Sequence, residues 1–129
     1  MGVANAIYNL GYCYRHGIGT SIDKQKAFEL HQKAADLGVA NAINNLGYCY
    51  LNGIGTSIDN QKAFELFQKA ANLGNRAAKD NLALMYENGD GIIRNLDHAI
   101  YWYSEQGGIY QYELERLSNI KEFMLFTLK

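Results

Sequence analysis

Apolar side chains recur at helical spacing along the N-terminal stretch of the chain. Ile7, Leu10, Gly11 and Tyr14 fall at i, i+3, i+4 and i+7, which places them on one face of an α-helix. Gly17 stands where such a helix needs a left-handed stop, and Gly19 permits a second turn before Asp23, whose carboxylate can cap the next helix. That next helix carries Ala27, Leu30, His31, Ala34 and Ala35 on one side, with Lys24, Lys26, Glu29 and Lys33 largely on the other. Gly11 lies inside the apolar face, where glycine costs ~1 kcal/mol of helix propensity relative to alanine. The compensation expected is a close crossing by the second helix at that point.

The whole pattern then returns. Residues 38–73 repeat residues 2–37 at 30 of 36 positions. They present Ile43, Leu46, Gly47 and Tyr50, then Gly53 and Gly55, then Asp59, Ala63, Leu66, Ala70 and Ala71. A more divergent copy begins at Gly74 and keeps Ala78, Leu82, Ala83, Tyr86, Gly89, Gly91, Ala99 and Trp102 at equivalent offsets, with Lys79 in place of an isoleucine. Near-identical units at a fixed period bury their apolar faces against one another. The fold expected is therefore all-α, an α-solenoid of antiparallel helix hairpins in 36-residue repeats. Its units are residues 2–37, 38–73 and a shortened 74–107, followed by a C-terminal capping helix in 108–129.

The last segment, from Tyr110 to Leu128, places Leu114, Leu117, Ile120, Met124 and Leu128 at three- and four-residue steps. Its run Phe123, Met124, Leu125, Phe126 is more apolar than a cap requires, which suggests a partner or further chain. Met1 occupies the place that Leu37 and Leu73 hold before the later units. The expectation is a fragment of a longer array.

Charge removes several function classes. Twelve basic and thirteen acidic side chains give a net charge of −1, so no field attracts nucleic acid or an anionic membrane. No apolar run approaches the ~18 residues of a membrane span, and the N-terminal residues do not read as a secretory leader. Cys13 and Cys49 occupy the same place in successive units. Equivalent stacked helices lie ~8–10 Å apart, beyond the ~7 Å that a disulfide spans between Cα atoms. Reduced thiols and a cytoplasmic location are expected.

No chemistry survives comparison between the units. The stretch Gly17-Ile18-Gly19-Thr20 before a helix could cradle a phosphate, but it lacks the P-loop lysine and recurs at residues 53–56 as a joint. Cys13 and His16 could form a metal pair or an activated thiol, yet the second unit has Cys49 with Asn52 and no further ligand at suitable spacing. No catalytic residue, metal or cofactor is expected. Tyr12, Tyr14, Tyr48 and Tyr50 could stack bases. Without a basic surface they read as core and groove lining.

The pattern Leu10-Gly11-x-x-Tyr14-x-x-Gly17-x-Gly19, followed by Asp23-x-x-x-Ala27 and Lys33-Ala34-Ala35, resembles the Sel-one-like repeat (SLR) family, relatives of tetratricopeptide repeats. The likeness covers about residues 2–107. It implies a right-handed α-solenoid acting as a scaffold or adaptor in signalling, quality-control or trafficking complexes, with no catalytic residues to carry over. A bacterial, cysteine-rich branch of the family staples each hairpin with a disulfide between its helices. The chain departs from that branch, since neither second helix contains cysteine.

The first two units differ only at 8/44, 15/51, 16/52, 24/60, 31/67 and 36/72. Alignment with the similar first-helix motif of tetratricopeptide repeats makes 5, 8, 12, 15 and 16 groove-facing, and three of the six differences fall there. The concave surface expected to bind a partner comprises Asn5, Tyr8, Tyr12, Arg15 and His16, then Asn41, Asn44, Tyr48, Leu51 and Asn52, then Asp80, Leu84 and Glu87. Drift at exposed positions explains the same differences without a ligand. Amides that bond a peptide backbone and tyrosines that supply rigid area suit a neutral peptide or partner helix. The function expected is a protein-interaction scaffold, monomeric or part of a larger array, binding at micromolar affinity. The alternative is a regulatory repeat segment of a larger enzyme or signalling protein, with catalysis outside this chain.

Overall fold

The computed structural model describes residues 2–105 and 111–128. The elements there are all helices: α1 (Gly2–His16), α2 (Lys24–Asp36), α3 (Ala40–Asn52), α4 (Asn60–Asn72), α5 (Arg76–Asn88), α6 (Leu96–Ser104) and α7 (Gln111–Thr127). Each packs on the next in chain order, from α1 on α2 to α6 on α7. The result is three stacked hairpins with a seventh helix against the last, the α-solenoid that the periodicity requires. The expected end of the third unit at Gln106 and Gly107, and the expected helix start at Tyr110, lie outside the described residues.

Local chemistry sets the helix limits. Asp23 and Asp59 each accept the backbone N–H three residues on at 3.0 Å, and Asn95 does the same at 3.1 Å, so all three second helices have a side-chain N-cap worth ~1 kcal/mol. The same capping residues close the turns, because the N–H groups of Asp23, Asp59 and Asn95 donate to the carbonyls of Tyr14, Tyr50 and Tyr86 at 2.8–2.9 Å. This hydrogen bond fixes the register of the three hairpins.

Two glycines carry the packing. A Cβ at Gly47 would lie 2.9 Å from the Phe67 ring and 3.3 Å from the Ala63 carbonyl, so the second helix does cross where the glycine allows it. Gly55 has a left-handed φ of +71°, and a Cβ there would run into the Lys24 carbonyl of the preceding hairpin. Its equivalent Gly19 has nothing within 4 Å of the same position, because no described hairpin precedes it. Gly55 therefore serves the joint between hairpins as well as its own turn.

Stacking also determines burial. Leu46 is 2% exposed in the middle hairpin, whereas its equivalent Leu10 is 48% exposed at the open end. The core runs from Ala34 and Ala35 through Ile43, Phe67 and Leu82 to Trp102 and Leu117. At the other end α7 buries Leu117 and sets Leu114 and Ile120 against that core. Arg116 pairs with Glu87 of α5, and Lys121 pairs with Asp97 of α6. Phe123, Leu125, Phe126 and Leu128 remain exposed.

Candidate functional site

The first helices α1, α3 and α5 bring equivalent side chains into rows across the three hairpins. One row, Tyr12, Tyr48 and Leu84, is exposed in all three at 43%, 36% and 46%. The Tyr12 ring leans on His16 with centroids 4.3 Å apart. The Arg15 guanidinium sits 4.5 Å from the centre of the Tyr48 ring, a cation–π contact of ~0.5–1 kcal/mol. Tyr12, Arg15, His16 and Tyr48 thus form one continuous patch spanning two hairpins. Asn5 and Asn41, two turns before Tyr12 and Tyr48 on the same helices, are exposed.

Other expected contact residues are already engaged within the fold. Asn44 is 8% exposed and its Oδ1 accepts the Asn81 amide at 3.0 Å. Asn41 accepts the Asn75 amide at 2.7 Å, and the Tyr8 hydroxyl accepts the Asn45 amide at 3.4 Å. These three bonds join neighbouring first helices. Asn52 is exposed but donates its amide to the Tyr48 carbonyl at 3.1 Å. Leu51 is half-buried against the core. In the third hairpin Asp80 and Leu84 line a shallow cavity of about 280 Å³ with Tyr103 and Glu113. The Glu87 carboxylate is held by Arg116 at 2.8 Å and by the Tyr103 hydroxyl at 3.3 Å. Burial and the neighbouring Glu87 carboxylate push the Tyr103 phenol up, so it stays a hydrogen-bond donor.

Positions 8, 15 and 31 belong to one cluster. His31 is fully buried, its ring 5.9 Å from that of Tyr8. Desolvation, reinforced by the charges of Arg15 and His16, lowers its pKa from the usual 6.5 to about 4. Neither ring nitrogen has a hydrogen-bond partner. The second hairpin carries Asn44, Leu51 and Phe67 at these places. A large ring on the second helix there is matched by a small residue on the first, and the adjoining charge by an apolar side chain. In the first unit two of the six differing positions, 8 and 31, are thus neighbours through their rings, and a third, Arg15, acts on His31 through its charge.

Asparagine occupies the row of Asn9, Asn45 and Asn81 in every unit, so differences between the units do not point to it. Their invariance was the available signal. His98, isolated in the sequence, packs its ring 4.7 Å from that of Tyr86. No group of three or more metal-ligating side chains occurs among the described residues. Both cysteines are free, and burial pushes the Cys49 thiol up, away from the reactive thiolate.

Residues 4–39, 40–75 and 77–105 match the Sel1 repeat. The chain is similar to the crystal structure of a Sel1 repeat protein from Oxalobacter formigenes, at 32% identity and a TM-score of 0.76, over 78% of this chain and 41% of that one. It is also similar to c5321, described as a protective antigen present in uropathogenic Escherichia coli strains and displaying an SLR fold. That match has 34% identity and a TM-score of 0.79, over 84% of this chain and 24% of that one. Helicobacter pylori cysteine rich protein B matches at 26% identity and a TM-score of 0.65, over 78% of this chain and 77% of that one. The chain thus spans less than half the length of the first two. No curated protein matches it.

Proposed function

The chain belongs to the Sel1 repeat family, and from that premise we propose that it is an interaction module that binds a peptide or partner helix along its first helices. The supporting observation is the patch of Tyr12, Arg15, His16 and Tyr48, which continues toward Leu84. Its aromatic rings are exposed, yet they are held in place by ring and cation contacts across two hairpins. Rings ordered before binding lose little side-chain entropy on contact, which is how tyrosine and arginine come to dominate interfaces. Asn5 and His16 supply polar groups to an extended backbone.

Within this reading the contact line is narrower than the full row of expected residues. Asn44 and Glu87 hold the scaffold together, while Tyr12, Tyr48 and Leu84 meet the ligand. The module acts as a cytoplasmic scaffold or adaptor without catalysis of its own. Two free cysteines support that location, and no described helix is long and apolar enough to cross a membrane.

Pulldowns with a Tyr12→Ala, Tyr48→Ala variant and with a Lys24→Ala, Glu29→Ala control on α2 test the surface. The first pair is expected to lose the partner, and the second to retain it. Equal loss from two variants with unchanged helical circular dichroism would remove the first-helix assignment.

A further inference from the structure

A cavity lies where α4, α5 and α6 meet, and comparison of the three hairpins bears on the chemistry it can hold. In the first two hairpins a lysine of the second helix reaches back over the tyrosine that ends the first. The Lys26 ammonium lies 5.2 Å from the centre of the Tyr14 ring, and the Lys62 ammonium 5.5 Å from that of Tyr50. The third hairpin keeps the tyrosine as Tyr86 but has His98 in place of the lysine. The three sites are equivalent, since each lysine or histidine follows its N-cap by three residues and each capping N–H donates to the tyrosine carbonyl.

Two further changes accompany the loss of the lysine. Glu65 and Leu66 of the second hairpin become Tyr101 and Trp102 in the third. Together with Gln68 and Asp97 these aromatic groups line a cavity of about 400 Å³. The Tyr86 ring is supported edge-on by Phe64 at 5.4 Å and touched by His98 at 4.7 Å. Tyr101 and Trp102 meet at 5.0 Å in a T-shaped pair. Carboxylates stand at the rim, with Asp97 paired to Lys121 and Glu105 hydrogen-bonded to the Tyr101 hydroxyl.

The geometry points to a site for a lysine side chain presented by a partner protein. His98 packs on Tyr86 from the lysine's position, so the incoming ammonium enters the cavity beside these two rings, with its carbon stem against Tyr101 and Trp102. Aromatic faces attract a cation through their quadrupoles, more strongly as water is excluded, and the Glu105 carboxylate beside Tyr101 adds to that attraction, while the charge of Asp97 is balanced by Lys121. This site is independent of the first-helix surface and does not rest on that reading.

Trp102 is the only tryptophan in the chain, so its fluorescence reports on the site directly. A short peptide with one central lysine is titrated against the full chain, and the same peptide with norleucine serves as the uncharged control. The lysine peptide is expected to give a saturable change at least ten times tighter than the norleucine peptide. The His98→Lys variant restores the arrangement of the first two hairpins, so it is expected to keep its helical content and lose binding, while Tyr12→Ala leaves binding unchanged. Equal response to the two peptides, no saturable change at millimolar peptide, or undiminished binding by a folded His98→Lys variant would each overturn the assignment.

Discussion

Buried, unpartnered His31 makes the first hairpin sensitive to acid, and the repeat supplies its own control. The folded chain holds this imidazole at about 4 against an ordinary 6.5, so in the folded state it stays neutral while the unfolded chain takes up a proton. The sign follows: between these values the unfolded state binds more protons, and stability falls as pH falls. Linkage gives a loss of about 2 kcal/mol between pH 7.5 and pH 5 from this one group, a large share of the stability of a small domain. Replacing Tyr8 and His31 together by the second hairpin's residues, Tyr8→Asn and His31→Phe, removes the group while keeping the paired packing. Urea unfolding followed by circular dichroism at the two pH values measures the effect. His16→Asn in both backgrounds removes the nearby exposed imidazole, leaving His31 as the difference between the two chains. The parent should lose about 2 kcal/mol more than the substituted chain on acidification, and at pH 7.5 the substituted chain should be the more stable by about 1 kcal/mol, because two orphaned nitrogens are gone. Equal losses on acidification would refute the reasoning.

Other perturbations separate the joint from the turn. Gly55→Ala and Gly19→Ala impose the same left-handed strain, but only the first drives a methyl into the Lys24 carbonyl; urea midpoints should show Gly55→Ala the more destabilising by at least ~2 kcal/mol. Asp59→Ala removes the bond to the Lys62 N–H and is expected to cost ~1 kcal/mol by the same measurement. Arg116→Ala leaves the Glu87 carboxylate without its counter-ion, and hydrogen exchange in α7 should accelerate with a loss of about 1–2 kcal/mol. Under native conditions a thiol reagent should modify half-buried Cys13 well before Cys49, which is fully buried with a raised pKa.

Most of the fold could be read from the sequence because its determinants are local and duplicated. Asp23, Asp59 and Asn95 announce helix starts wherever they occur, and glycine within the apolar face at Gly11 and Gly47 marks the crossing of the second helix. The surface was harder to read. Comparing the units picks out 8/44, 15/51 and 16/52 as changes on one helix face, but it cannot register that 8/44 and 15/51 share a cluster with 31/67 on the other helix. Volume exchanged between Tyr8 with His31 and Asn44 with Phe67 looks, position by position, like a change of ligand contact. The asparagine bonds between hairpins were hidden for the opposite reason. Asn9, Asn45 and Asn81 do not vary, and amides that bond 37 residues apart leave no periodic trace beyond their constancy. The aromatic cavity beside Tyr86 depends on His98, Tyr101 and Trp102 being brought together around it, a proximity that only the folded chain supplies.

Binding of a peptide or helix along the exposed aromatic line of the first helices can be tested with defined ligands. Panning a random peptide library on the immobilised chain supplies defined ligands whose affinities can then be measured by isothermal titration. Selected peptides are expected to bind with roughly micromolar Kd, to lose at least tenfold in affinity with Tyr12→Ala, Tyr48→Ala, and to be unaffected by Tyr101→Ala. Peptides that bind the folded Tyr12→Ala, Tyr48→Ala chain as tightly as the parent would contradict the account.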